Sequence, residues 1–133
     1  MLFGAEHVKR YLETDGAEGH DWRGTTALIL TTTGRRSGQE RSTPLIYGTN
    51  GDDYLVVASK GGAKQHPGWY LNLSEHPEVT VQVRGDRFAA RARTANAEEK
   101  PQLWATMVGQ WPAYADYQKM TSREIPVVVL ERS

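Results

Sequence analysis

The stretch Glu78 to Thr94, EVTVQVRGDRFAARART, alternates apolar and polar residues on both sides of a Gly-Asp pair. A period of two sends successive side chains to opposite faces of an extended chain, so one face is buried and the other meets water. Val79, Val81 and Val83 form the inward set on the first arm, and Phe88, Ala90 and Ala92 on the second. Arg87, Arg91 and Arg93 then face outward. Gly85-Asp86 fits a two-residue hairpin turn with glycine first. Parallel strands would need a crossover of a dozen residues or more where only two stand. The chain is therefore committed to antiparallel pairing over one buried face.

The remaining segments extend that sheet. TTALILTTT (25–33) reads as a strand with an apolar centre, and RSTPLIYGT (41–49) as a second strand whose Pro44 places it at an edge or bulge. A turn at Asn50-Gly51-Asp52 leads into DYLVVAS (53–59), making a hairpin of these last two. IPVVVLE (125–131) is a continuous apolar run and reads as a central strand. Helical spacing of Val8, Tyr11 and Leu12 predicts a short helix over 2–14, followed by a Gly-rich loop. Residues 59–69 read as a flexible connection into a short helix starting at Pro67 and ended by His76-Pro77. Asn96 with Glu99 resembles a capping box ahead of a helix carrying Leu103, Trp104, Met107, Val108 and Trp111, which Pro112 breaks. The expectation is one domain over 1–133, mainly β with about six strands and three short helices, as an antiparallel sheet or barrel.

The 133 residues carry 16 Lys plus Arg against 16 Asp plus Glu, so no bulk charge points to nucleic acid. There is no cysteine, which removes disulfides, thiol nucleophiles and thiolate metal sites. His7, His20, His66 and His76 are scattered without a metal-binding spacing, and no metal is expected. GRRSG is not a nucleophile elbow and SKGGAK is not a P-loop. No apolar run approaches the roughly 20 residues of a membrane-spanning helix. The expectation is a cytoplasmic protein, with a peripheral membrane contact left open.

What remains is cations on two turns, then aromatics. Arg35, Arg36 and Arg41 flank one turn; Lys60 and Lys64 flank another, with Gly61-Gly62 between them. Arginine offers a planar fork to phosphate and carboxylate, and neighbouring glycines let an anion approach backbone amides. The two turns read either as an anion site or as solvated loops. Trp111, Tyr114 and Tyr117 recur at every third residue across Pro112 and can wall a flat ligand or simply fill a core. Trp22 and His20 read as an ordered surface loop or as the cover of a pocket mouth.

Taken in order, LTTTGRRSGQERSTPL, VVASKGGAKQHPGWYLNLSEHPEVTVQV and GQWPAYADYQKMTSREIPVVVLE resemble the deazaflavin (coenzyme F420)-dependent nitroreductase family of actinobacterial oxidoreductases. The resemblance runs from about residue 24 to 132 and implies a split β-barrel that binds coenzyme F420. It implies that Arg35, Arg36 and Ser37 hold the cofactor's phosphate and oligoglutamate tail, followed by Arg41, Ser42, Thr43, Pro44, Leu45 and Ile46. Val57, Ala58, Ser59 and Lys60 come from the second loop. Gly68, Trp69, Tyr70, Leu71 and Asn72 border the cofactor, with Trp69 and Asn72 as specific contacts. Trp111, Tyr114 and Tyr117 line the substrate side.

The implied reaction is hydride transfer to a small electrophile such as a quinone, an enone or a nitroaromatic. Tyr114 is the first candidate to polarise or protonate the acceptor, Ser59 the second. An FMN enzyme on the same fold and a non-catalytic deazaflavin carrier are the alternatives, and the chain is read as monomer or homodimer.

Overall fold

The computed structural model describes residues 2–133. Eight strands run β1 Asp21–Trp22, β2 Thr25–Thr33, β3 Glu40–Ile46, β4 Gly48–Asn50, β5 Asp53–Val57, β6 Glu78–Val83, β7 Asp86–Thr94 and β8 Val127–Arg132. Four helices, α1 Gly4–Thr14, α2 Gly68–Glu75, α3 Lys100–Gln110 and α4 Ala113–Lys119, surround them. All pairings are antiparallel, and the sheet runs β1-β2-β6-β7-β8-β5-β4 with β3 added to the free side of β2. The sheet curls into a half-barrel.

The alternating hairpin buries Phe88, Ala90 and Ala92 as expected. Its turn is displaced by one residue: Val83 pairs with Asp86, so the loop is Arg84-Gly85 and Arg84 takes the positive φ of 54°. A tertiary contact holds it there, because the Arg84 N–H donates to the Tyr11 hydroxyl of α1 at 2.7 Å. On α1 the buried face is His7 and Tyr11, while Leu12 is exposed.

Segment 41–49 is not one strand paired with the next. Residues Glu40–Ile46 fold back on β2, from Thr33↔Glu40 to Ala27↔Ile46, and only Gly48–Asn50 pairs with β5. Pro44, which has no N–H to give, is tolerated because β3 is an edge strand.

The apolar runs of β5 and β8 are buried on both faces. Val56, Val128 and Leu130 point into the barrel with Leu28, Leu30 and Val81. Leu55, Val57, Val127 and Val129 point outward under Leu103, Met107 and Tyr114 of α3 and α4. Each such side chain contributes about 1.5–3 kcal/mol of burial, so the second layer anchors α4 and the tyrosine it carries. The capping box forms as read: Asn96 Oδ1 accepts the Glu99 N–H at 2.9 Å, and Glu99 returns a carboxylate oxygen to the Asn96 N–H at 2.8 Å.

Candidate functional site

One groove of about 480 Å³ opens between β3, the end of β5, the loop after it, and α4. Thr43, Pro44, Leu45 and Ile46 form one wall, Val57, Ser59 and Lys60 the floor, and Trp69, Trp111, Tyr114 and Tyr117 the facing side. Eleven of the residues proposed from sequence thus meet in one cavity, although they come from four separate segments.

The loop at the floor has an unusual backbone. Lys60, Gly61 and Gly62 all have positive φ, at 46°, 62° and 83°. The left-handed region costs an L-residue such as lysine roughly 1–2 kcal/mol, and such conformations concentrate where a site needs a particular shape. A side chain at Gly61 would meet nothing within 4 Å, whereas one at Gly62 would stand 2.9 Å from the Tyr117 carbonyl. Gly62 is therefore where the loop presses against α4. This segment is held rather than flexible, because the Arg123 side chain donates to its carbonyls.

The arginine turn lies beyond the end of this groove. Arg41 precedes Thr43 by two residues on β3, so its side chain leaves on the same face, roughly 7 Å along the strand. Arg36, Ser37 and Arg41 are exposed, and Ser42 meets Thr31 hydroxyl to hydroxyl at 2.7 Å. Asn72, buried in α2, fastens the turn: its Oδ1 accepts the Arg35 backbone N–H at 3.1 Å and Arg35 Nη1 at 2.9 Å, while its Nδ2 donates to Thr32. That amide is occupied with Arg35 and does not face the groove. Ala58 is fully buried, and Tyr70 bonds Thr94 at 2.7 Å. Neither these two nor Gly68 and Leu71 line the cavity.

Charge separates the two basic surfaces of the molecule. Among the described residues, Arg91 and Arg93 on the outer sheet face are each paired with a carboxylate, whereas Arg87 on that face and Arg35, Arg36, Arg41 and Lys60 are in no ion pair. Glu99 and Glu131 both hold Arg93, and the Glu99 carboxyl is lowered chiefly by that arginine. Cations without partners around a groove attract an external anion. The paired Arg91 and Arg93 offer nothing comparable to a nucleic-acid backbone.

At the other end of the groove stands Trp22, which the sequence offered as one possible cover of a pocket mouth; Phe3 and His7 carried no such signal. Together Phe3, His7 and Trp22 close that end, with Arg23 beside them. Trp22 stacks on His7 (6.1 Å, 25°) and meets Trp111 at 5.8 Å. Its indole N–H donates to the Leu2 carbonyl at 2.8 Å. The Arg23 guanidinium lies 4.9 Å from the Phe3 ring and 5.0 Å from that of Trp22. His20 is not at the mouth; it is buried between Tyr47 (2.7 Å) and Asp21 (2.8 Å). The only signal in the sequence was aromatic residues in a Gly-rich loop, which does not say what they cover. Tyr114 is 5 % exposed, and burial, then the neighbouring Tyr117 phenol, raise its hydroxyl pKa, so it keeps its proton.

The groove is mostly apolar and aromatic in lining, with Lys60 at its floor, and its walls suit a flat ring. Among the described residues no helix is long and apolar enough to cross a membrane, and no group of three or more His, Asp or Glu is placed to hold a metal.

Comparison with known proteins agrees with this geometry. The model of the family described as F420H(2)-dependent quinone reductase matches residues 4–132. An F420H(2)-dependent quinone reductase of Mycobacterium tuberculosis is 43% identical over 131 residues, which is 95% of this chain and 87% of that protein. A solved structure described as a domain-swapped dimer is 38% identical with a TM-score of 0.77, covering 95% of each chain. A solved F420-H2 dependent reductase is 40% identical with a TM-score of 0.74, over 79% of this chain and 93% of the other. The split half-barrel is thus shared with these solved structures, and the chain belongs to the F420H(2)-dependent quinone reductase family.

Proposed function

We propose that this protein is an oxidoreductase that uses reduced coenzyme F420 to reduce a quinone-type acceptor. The observation that carries the reading is the groove itself, mostly apolar and aromatic in lining with Lys60 at its floor, and with the arginine turn 34–41 beyond its end. When bound, the cofactor supplies a hydride; the protein supplies position and electrostatics.

Pro44, Leu45, Ile46 and Val57 provide the apolar wall for a flat ring, with Trp69 opposite. Lys60 and the exposed Arg36 and Arg41 face the anionic part, Lys as a mobile point charge and Arg as a planar fork. Ser59, on the floor, and Tyr114, on α4, border the groove, and their hydroxyls are the candidates to hydrogen-bond the acceptor. Because Tyr114 holds its proton, its role is to donate a hydrogen bond to the acceptor oxygen rather than to ionise. The proton that accompanies the hydride comes from solvent through the open groove. Tyr117 and Trp111 exclude water from the ring-facing side. We also propose a homodimer, because the 38% identical solved structure is described as a domain-swapped dimer; molar mass in solution tests it.

The first experiment is a tryptophan-fluorescence titration with F420 and, in parallel, FMN, followed by anaerobic oxidation of the reduced cofactor with a soluble naphthoquinone. Preference for F420 and quinone-dependent oxidation support the reading. Binding of F420 without oxidation by quinone, enone or nitroaromatic makes the protein a carrier, and binding of neither flavin sinks the proposal. Tyr114→Phe should cut turnover roughly fivefold, the worth of one hydrogen bond, while F420 affinity stays unchanged. Full turnover in that variant removes Tyr114 from the chemistry.

A further inference from the structure

We propose that Arg123 is a positioning residue for the cofactor: with His66 as its acceptor, its guanidinium clamps the Ala58–Ala63 loop in the shape that presents Ser59, Lys60 and Gly61 to the groove, and protonation of His66 loosens that clamp. The inference rests on the reading of the groove as the F420 site.

The Arg123 side chain makes four contacts, all to this loop and its flank. Nη2 donates to the Ser59 carbonyl at 2.7 Å, Nε to the Ala63 carbonyl at 2.8 Å and Nη1 to the Ala58 carbonyl at 3.1 Å. Nη1 also stands 3.1 Å from His66 Nδ1. These carbonyls lie past the end of β5, where the sheet no longer offers them a ladder partner. Within the loop, Ser59 carbonyl receives a bond from the Gly62 N–H at 3.0 Å, and Ala63 N–H reaches the Lys60 carbonyl at 3.1 Å. Those bonds close a left-handed turn that an isolated chain with lysine at φ 46° does not favour. The constraint arrives from about 60 residues away in the sequence.

Arg123 is itself fixed to α4. Gln118 Nε2 donates to the Arg123 carbonyl at 2.8 Å, and Gln118 Oε1 accepts the Ile125 N–H at 2.9 Å. Gly62 presses on α4 at Tyr117. The floor of the groove and the helix carrying Tyr114 and Tyr117 thus move as one piece. That coupling gives Arg123 leverage on the site without touching anything bound in it.

A guanidinium donates five N–H bonds and accepts none, so the His66 nitrogen facing it must be bare. Burial first, and the Arg123 charge second, lower the His66 pKa. The other group beside it is the Tyr70 ring of α2, 4.8 Å away; no carboxylate forms an ion pair with His66 among the described residues. The sign follows: the folded state binds the proton less well than the unfolded chain, so the clamp is complete above the ordinary histidine value near 6.5 and is lost as pH falls through the lower folded value.

The test uses the full chain, with F420 titrated by tryptophan fluorescence at pH 7.5 and 5.5, and hydrogen exchange of the 59–62 amides without cofactor. Arg123→Ala should weaken F420 binding roughly tenfold, the scale of a lost charged hydrogen bond, and speed exchange at 59–62 before the sheet amides. Arg123→Lys should fall between. Affinity of the unaltered protein should drop several-fold from pH 7.5 to 5.5. His66→Gln should abolish that pH step while binding normally at pH 7.5. If Arg123→Ala does not fold, Arg123→Lys and His66→Gln decide the matter. Affinity within twofold and unchanged loop exchange in Arg123→Lys, or a pH step that persists in His66→Gln, overturns the proposal. If the unaltered protein does not bind F420, the functional reading fails by itself, and exchange at 59–62 still reports whether Arg123 holds the loop.

Discussion

Two turns of this protein look alike as text. GRRSG (34–38) and SKGGAK (59–64) are both short, glycine-rich and cationic, and both follow a strand. The fold treats them differently. The first closes on itself, with Gly34 N–H to the Gln39 carbonyl at 2.7 Å and Gly38 N–H to the Gly34 carbonyl at 2.9 Å, and one buried amide from Asn72 secures it. Arg36 projects outward, while the Arg35 side chain turns back onto Asn72. The second adopts three consecutive left-handed residues, packs on α4 and is fastened by Arg123, so that it becomes floor rather than rim. Composition makes both turns candidates for an anion; anchoring decides whether a turn shapes a pocket or only lies at its edge.

The largest effect is expected where the floor loop meets α4. Gly62→Ala adds left-handed strain and a methyl 2.9 Å from the Tyr117 carbonyl, and should cost about 3 kcal/mol in urea denaturation. A loss under 1 kcal/mol would mean that the loop is not pressed against the helix. Asn72→Ala comes next. It strands the Arg35 N–H and the Thr32 hydroxyl in a buried position and should cost about 2 kcal/mol, with the groove intact by F420 titration. Equal losses of stability and affinity would erase the distinction between rim and floor.

Charge removal sharpens it further. Lys60→Ala should weaken F420 binding by about tenfold and Arg36→Ala by about threefold, both less at high salt because exposed charges are screened. Neither should change stability by more than about 0.5 kcal/mol. The reverse order of affinities would move the anion to the arginine turn. Gly61→Ala is the smallest case. Its φ is 62° and no atom stands within 4 Å of an added methyl, so urea denaturation should show only the backbone term of about 1 kcal/mol.

Much of this was readable in advance where it depends on neighbours in the chain. Strand β2 runs over the 25–33 expected from its Thr-flanked apolar centre, and α2 starts after Pro67 as read. Thr43 to Ile46, Val57, Ser59, Lys60 and Trp69, separated in sequence, line one groove. Errors arose where two local solutions were equally good. Residues 41–49 could pair forward across the Asn-Gly-Asp turn or back across the arginine turn, and both are short antiparallel connections. Packing chose the second for β3, because the length of β2 offers it seven partners. Arg123 carries no motif: a lone arginine between Ser122 and Glu124 looks like any solvated loop residue.

By itself, the sequence determined an antiparallel sheet, its buried faces, the helix boundaries set by proline and the capping box, and two cationic turns. Each follows from periodicity or from chemistry within a few residues. The tertiary structure decided which strand β3 joins, that Phe3, His7 and Trp22 close the groove, that Asn72 serves the arginine turn rather than the groove, and that a left-handed loop is held by a guanidinium from the far end of the chain. Those are contacts between residues tens of positions apart. A donor's identity is written in its side chain, but its partner is written only in the fold that brings the two within 3 Å.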